Sequence, residues 1–141
     1  MSFTGLEVFD TTLQKTSIWL NNILEQTGWT DRHRAYSALR GVLHALRDRL
    51  TVAEAVDLGA QLPVLVRGVY YEGWRPAGKP FKYRHREEFF QQVSKGMPDA
   101  DQSDLEKGIR AVFKILAEQI SSGEIQQVKK QLPEVVRELW Q

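Results

Sequence analysis

A short stretch of sequence occurs twice in this chain and constrains the fold more than any other feature. Residues 61–67 read Gln-Leu-Pro-Val-Leu-Val-Arg, and residues 131–137 read Gln-Leu-Pro-Glu-Val-Val-Arg. The two copies lie 70 positions apart, since 131 minus 61 is 70. Self-similarity at a fixed offset is typical of repeat architectures, so we interpret the chain as two versions of one helical unit.

The same shift of 70 positions aligns apolar residues with apolar residues and helix-start residues with helix-start residues. Leu39 meets Ile109, for example, and Leu43 meets Phe113. Because a short helical unit cannot cover its own apolar face, we expect two tandem four-helix pseudo-repeats that share one core. The identical pairs are Asp31/Asp101, Arg40/Arg110, Val42/Val112, Leu46/Leu116, Glu54/Glu124, Gln61/Gln131, Leu62/Leu132, Pro63/Pro133, Val66/Val136 and Arg67/Arg137.

The spacing of apolar residues predicts an all-α fold of about eight helices. The first helix covers about residues 9–26 and ends before Gly28, and the second and clearest helix starts at Thr30 or Asp31. The residues expected to be buried are Phe9, Leu13, Leu20, Ile23, Leu24, Ala35, Leu39, Val42, Leu43, Leu46, Leu50, Leu65, Val66, Val69, Tyr70, Phe89, Phe90, Val93, Leu105, Ile109, Val112, Phe113, Leu116 and Ile120.

Two further patterns indicate where the shorter helices begin. Thr51 and Glu54 form a capping box, in which the threonine accepts the N–H of Glu54 and the glutamate side chain reaches back. Residues 121–124 repeat this box. Pro63 and Pro133 each open the last helix of a repeat, because the first helical position has no N–H partner to lose.

We expect a single domain of residues 1–141, with repeat one in about residues 1–73 and repeat two in about residues 85–141. Between them, residues 74–84 read Trp-Arg-Pro-Ala-Gly-Lys-Pro-Phe-Lys-Tyr-Arg. Two prolines and a glycine exclude a regular helix in this connector. The N-terminus has no counterpart to the connector, so the duplication does not explain it.

Composition narrows the functional classes. The chain contains no cysteine, which excludes disulfides, thiolate metal sites and cysteine nucleophiles. The N-terminus lacks the features of a signal peptide, and no uncharged apolar run approaches the ~20 residues that cross a bilayer. We therefore expect a soluble cytoplasmic protein without membrane insertion. The net charge of +1 comes from evenly mixed charges, which argues against a whole protein built to bind polyanions.

Several motifs together resemble those of a known bacterial family. They look like the family catalogued as domain of unknown function 2267, and they extend over nearly the whole chain. The resemblance implies a small cytoplasmic bacterial helical protein, and it implies no accepted activity and no catalytic residues. The motifs are Asp31-Arg32, Ala38-Leu39-Arg40, Val42-Leu43-His44-Ala45-Leu46-Arg47-Asp48-Arg49-Leu50, Ala60-Gln61-Leu62-Pro63, Leu65-Val66-Arg67-Gly68 and Tyr70-Tyr71-Glu72-Gly73-Trp74-Arg75-Pro76.

Two patterns resemble metal sites, and each has a structural alternative. His44 and Asp48 lie one helical turn apart, but the shift places a lysine opposite His44, which favours a surface ion-pair ladder with Arg40. Residues 99–110 begin like a calcium loop but lack its glycine at the sixth position and its glutamate at the twelfth. None of the three histidines lies in a catalytic motif. The sequence leans against an enzyme, and we assign no catalytic, cofactor-binding or metal residue.

The connector and its flanks interleave cations with aromatic side chains. Such residues can bind phosphates and stack on bases, and they also anchor protein partners. In the structural alternative, Trp74, Phe81 and Tyr83 attach the connector to the core while the cations stay solvated. We define the aromatic–basic surface as Tyr70, Tyr71, Trp74, Arg75, Lys79, Phe81, Lys82, Tyr83, Arg84 and Arg86.

The leading hypothesis from the sequence is a non-enzymatic protein-interaction or adaptor module whose partner docks near this surface. The alternative is binding of nucleic acid or another polyanion through the basic-aromatic residues 74–86. A third hypothesis, a small-ligand site between the repeats, has no supporting residue pattern.

Arg67 and Arg137 are matched arginines that each follow a buried valine. A half-buried arginine usually bridges carboxylates or the carbonyl ends of neighbouring helices. We therefore expect a structural role for both residues.

Overall fold

The computed structural model describes residues 2–141, which form eight α-helices and a short 3₁₀ turn and contain no strand. The all-α prediction is therefore confirmed. The helices are α1 (Glu7–Thr27), α2 (Arg32–Arg49), α3 (Val52–Ala60), α4 (Val64–Tyr71), α5 (Arg86–Ser94), α6 (Gln102–Gln119), α7 (Ser122–Gln131) and α8 (Glu134–Arg137), and the 3₁₀ turn covers Glu138–Trp140.

The later helices of the two halves begin at corresponding positions, whereas α1 and α5 start 79 positions apart, at Glu7 and Arg86. Helices α2 and α6 start at Arg32 and Gln102, and helices α3 and α7 start at Val52 and Ser122; both pairs differ by 70. The N-terminal caps are of matched type, an aspartate before α2 and α6 and a hydroxyl residue before α3 and α7. A pseudo-twofold superposition of the complete halves stays a prediction.

Helices α2 and α6, which match under the shift of 70 positions, contact each other, and α1 and α5 each pack against both. All the core residues predicted on α2, α5 and α6 are buried, together with Leu50 and Ile120 at the ends of α2 and α6. The period-3.6 apolar stripes of these helices therefore face one another, as the hydrophobic effect requires.

Two glycines bring α2 unusually close to the end of α5. A Cβ on Gly41 would lie 2.8 Å from the carbonyl oxygen of Val93. A Cβ on Gly96 would lie 2.9 Å from the Cα of Gly41. Backbone meets backbone here, so there is no space for a side chain at either position.

The prediction that Phe9, Leu13 and Leu65 are buried is wrong. Phe9 is 55% exposed, and Leu13 and Leu65 are each 40% exposed. On α1 the inward face runs through Thr12 and Trp19, which lie two helical turns apart. The Thr12 hydroxyl accepts the backbone N–H of Leu65 at 2.9 Å, so a polar contact joins α1 to α4 and leaves these apolar side chains outside.

Candidate functional site

The connector, residues 74–84, follows a fixed path along the C-terminal end of α2. The N–H of Phe81 donates to the carbonyl oxygen of Asp48 at 2.8 Å. Arg49 donates to the carbonyl oxygen of Tyr83 at 3.2 Å, and its guanidinium lies 5.3 Å from the centre of the Tyr83 ring. The connector is therefore attached to the helical core although it has no regular secondary structure.

Two tyrosines of the aromatic–basic surface lie in the core. Tyr70 is fully buried, and its hydroxyl donates to the carbonyl oxygen of Ala55 at 2.7 Å. Tyr83 is 8% exposed. Burial raises the pKa of both hydroxyls above the ordinary value, so both remain neutral. Neither ring can contact a partner without local unfolding.

Tyr71 and Trp74 form a half-buried aromatic pair beside Tyr70. The ring centres of Tyr71 and Trp74 are 5.4 Å apart, and Tyr71 meets Tyr70 edge-on at 4.9 Å. The Tyr71 ring also covers Gly59 of α3, where a side chain would collide with it. This arrangement agrees with the structural alternative, in which aromatic residues attach the connector to the core.

The cations of the connector point outward. Arg75, Lys82 and Arg84 are exposed, and none of them forms an ion pair among residues 2–141. Lys79 lies 4.3 Å from the centre of the Phe81 ring, and Phe81 is 36% exposed. We call Arg75, Lys79, Phe81, Lys82 and Arg84 the cationic connector surface.

Arg86, the last member of the predicted surface, is already paired. Its guanidinium binds Glu106 and stands 5.0 Å over the Phe90 ring. Arg110 also binds Glu106 at 2.9 Å. The hydrogen bond from Arg110 and the charges of both arginines lower the pKa of Glu106. Arg86 therefore links α5 to α6 and does not extend the cationic connector surface.

His44 and Asp48 do not converge on a metal position. Nε2 of His44 lies 2.7 Å from the carbonyl oxygen of Val69, so this nitrogen carries the hydrogen and donates. Burial is the main cause that lowers the pKa of His44, which favours the neutral ring. Asp48 binds Arg47 at 2.9 Å. The predicted ion-pair ladder is also not formed, because Arg40 binds Glu72 at 2.9 Å.

Sequence reasoning missed Arg47, although it is the most buried arginine described. Arg47 is 5% exposed. Its Nη1 donates to the carbonyl oxygens of Tyr70 at 2.8 Å and of Glu72 at 3.0 Å, which satisfies the C-terminal end of α4. Comparison of the two halves did not single out Arg47, because the residue 70 positions later is Ala117.

Arg67 has the structural role predicted for it. Nε donates to the carbonyl oxygen of Gly59 at 2.9 Å, and Nη2 donates to those of Leu62 at 3.0 Å and Ala60 at 3.2 Å. Arg67 therefore caps the C-terminal end of α3. Its counterpart Arg137 is exposed and has no side-chain hydrogen bond or ion pair within residues 2–141, so the same prediction is wrong there.

The two repeated glutamines exchange hydrogen bonds between the halves. Oε1 of Gln61 accepts the N–H of Ser121 at 3.1 Å, and Oε1 of Gln131 accepts the N–H of Thr51 at 2.9 Å. Each glutamine thus completes the helix start of the opposite half. The capping box predicted that the side chain of Glu54 accepts the N–H of Thr51. Gln131 accepts this N–H instead.

Glu54 and Glu124, the glutamates of the two capping boxes, meet where α3 contacts α7. Glu54 is only 8% exposed. One oxygen of each carboxyl, Oε1 of Glu54 and Oε2 of Glu124, is buried without a donor among the described residues. Burial of Glu124 and the neighbouring carboxyl group of Glu54, together with the charge of Asp57, raise the pKa of Glu124 to about 8.

An open groove of about 900 Å³ lies between α1 and the corner at Pro63. Trp19 forms part of its wall, and Arg67 reaches it, although the donors of Arg67 already bind carbonyl oxygens. A second depression of about 640 Å³ lies at the start of α2. Neither groove contains members of the aromatic–basic surface.

Comparison with known families agrees with the motifs. A family model described as DUF2267, an uncharacterized conserved protein, matches residues 16–139, which is nearly the whole chain. No curated protein matches the chain. Among residues 2–141, no helix has the combination of length and hydropathy needed to cross a membrane. Since the match covers well over half of the chain, the chain belongs to the DUF2267 family.

Proposed function

We propose that this protein is a non-enzymatic interaction module that binds an acidic partner protein through the cationic connector surface. The observation that carries the proposal is the exposed and unpaired state of Arg75, Lys82 and Arg84 on a backbone anchored to α2. Anchoring reduces the conformational entropy lost on binding, so these cations are preorganised for a partner.

An acidic protein fits this surface better than a bare phosphate chain. Phe81 is partly exposed beside Lys79, and an aromatic ring next to cations is a common anchor in protein interfaces. The larger rings are not free to stack on bases, because Tyr83 is buried and Trp74 packs on Tyr71.

The titratable groups nearest the connector support an interaction role over catalysis. His44 donates to a backbone carbonyl, and Arg47 holds Asp48. These groups stabilise the ends of α2 and α4. Catalysis needs a nucleophile and a base that converge on one open position.

The test compares retention of partners by two charge-matched variants of the full chain. One variant replaces Arg75, Lys82 and Arg84 with glutamine, and its control replaces three other exposed cations, Lys107, Lys130 and Arg137. After nuclease treatment, we expect the wild type and the control to retain the same protein from a lysate and the connector variant to lose it. Equal retention by all three would refute the proposal.

A direct titration with a short DNA duplex distinguishes the polyanion alternative. Three phosphate contacts would weaken binding about 40-fold between about 50 and 200 mM salt. If the wild type and the control showed this salt dependence and the connector variant did not, the partner would be nucleic acid and not a protein. We expect instead that duplex binding is weak and equal for both variants.

A further inference from the structure

The contact between α3 and α7 is formed by matching parts of the two halves. Glu54 and Glu124 stand at the third position of their helices, and each helix start is completed by a glutamine of the opposite half. The two carboxyl groups are therefore held at this contact by the fold itself.

Among residues 2–141, neither Glu54 nor Glu124 forms an ion pair with a cation. Within the described residues, the charged groups that raise the pKa of Glu124 are Glu54 and Asp57, both from α3. The charge of Glu124 also acts on Tyr70 of α4 and raises its pKa. The Tyr70 hydroxyl donates to the carbonyl oxygen of Ala55. No charged group of α2 or α6 contributes to this shift.

Two ionised carboxylates in this position would repel each other and leave buried oxygens without donors. A single proton removes both problems, because a protonated carboxyl donates to its ionised neighbour. We propose that Glu54 and Glu124 share one proton and form a pH-sensitive link that holds α3 against α7. The proposal does not depend on the function of the cationic connector surface.

The direction of the pH effect follows from proton linkage. The pKa of Glu124 is raised from 4.5 to about 8 in the folded protein. Between these values the folded protein keeps a proton that the unfolded chain has released, so rising pH favours the unfolded chain. Stability at the α3–α7 contact is therefore fully present near pH 4.5 and declines as the pH rises to about 8.

The test is a carbon-13 NMR titration of glutamate carboxyl groups in the full-length protein. We expect one proton to be released only near pH 8, and the late titration to disappear in Glu124→Gln and in Glu54→Gln. If all the glutamates of the wild type titrate near the ordinary value of 4.5, the proposal is wrong. This measurement on the wild type decides the matter even if a variant fails to fold.

Thermal unfolding provides a second measurement. In the variant Glu124→Gln, the side-chain amide can donate its N–H to Glu54 at every pH and does not titrate. The melting temperature of this variant should therefore fall less than that of the wild type between pH 4.5 and about 8. The control Glu118→Gln, at an exposed position of α6, should follow the wild type. Parallel curves for all three proteins would contradict the proposal. The proposal would also be contradicted if magnesium at high pH raised the melting temperature of the wild type and not that of Glu124→Gln. Such a result would mean that a cation lies between the two carboxylates.

Discussion

At the scale of single residues, the same amino acid at matched positions has different roles in the two halves. Arg67 is half-buried and binds three backbone carbonyls at the end of α3. Helix α7 instead ends at Gln131, and the exposed Arg137 beyond it makes no such contacts among the described residues. A matched sequence position is therefore weaker evidence for a shared structural role than a shared set of hydrogen-bond partners.

Replacing Arg67 with alanine should destabilise the protein. The substitution removes the donor of the Leu62 and Ala60 carbonyl oxygens and one of the donors of the Gly59 carbonyl oxygen, and we expect a loss of about 2 kcal/mol in the free energy of unfolding. Thermal or chemical denaturation measures this loss. Arg137→Ala is the matched control and should change the free energy by less than about 0.5 kcal/mol. An unchanged melting temperature for Arg67→Ala would show that the three hydrogen bonds contribute nothing.

Glu54 and Glu124 show how far local rules extend. The sequence correctly predicted that Thr51 and Ser121 accept the N–H groups of these glutamates, because that contact joins residues three positions apart. It did not predict that the glutamate side chains meet each other. That contact depends on the packing of α3 against α7, which no helical period encodes.

At the scale of helices, the approach of α2 to the end of α5 depends on a residue without a side chain. Gly41→Ala would place a Cβ 2.8 Å from the carbonyl oxygen of Val93, so the two backbones must separate. We expect a loss of about 1–3 kcal/mol in the free energy of unfolding, measured by chemical denaturation.

Gly68 provides the control for this substitution. It lies within α4 and has open space where a Cβ would be, so Gly68→Ala should stabilise the protein by about 1 kcal/mol or less. If both alanine variants stabilised the protein equally, the close approach at Gly41 would be contradicted. Ordinary helix propensity would then explain both results.

The sequence predicted the positions of the long helices well, because caps and apolar stripes are local. It failed for Phe9 and Leu13, since an amphipathic pattern does not show which neighbour covers each part of a long helix. For the candidate site, the interleaved composition identified the exposed Arg75, Lys82 and Arg84 together with the buried Tyr70 and Tyr83. Composition cannot separate these two groups, because exposure depends on where the connector meets α2.

At the scale of the whole molecule, the two halves do not form separate cores. Helix α1 contacts α6, α2 contacts both α5 and α6, and α3 contacts α7. The buried side chains of both halves belong to one continuous cluster. Removing either half would therefore expose apolar surface on the other.

We accordingly expect the chain to unfold in a single cooperative transition, as the single-domain prediction requires. Far-ultraviolet circular dichroism would follow all the helices, and tryptophan fluorescence would follow Trp19 in the core and Trp140 stacked on Phe113. The two curves should coincide during denaturation. Two separated transitions would mean that the halves unfold independently and would contradict the single-domain prediction.

The hydrogen bonds of Gln61 and Gln131 make each helix start depend on a residue far away in the sequence. Each glutamine serves a helix start that is encoded 60 to 80 codons away, since the exchanged bonds join residues 61 to 121 and 51 to 131. A substitution of either glutamine therefore removes a hydrogen bond from a helix start in the other half. The two hydrogen bonds thus make the start of α3 depend on residue 131 and the start of α7 depend on residue 61.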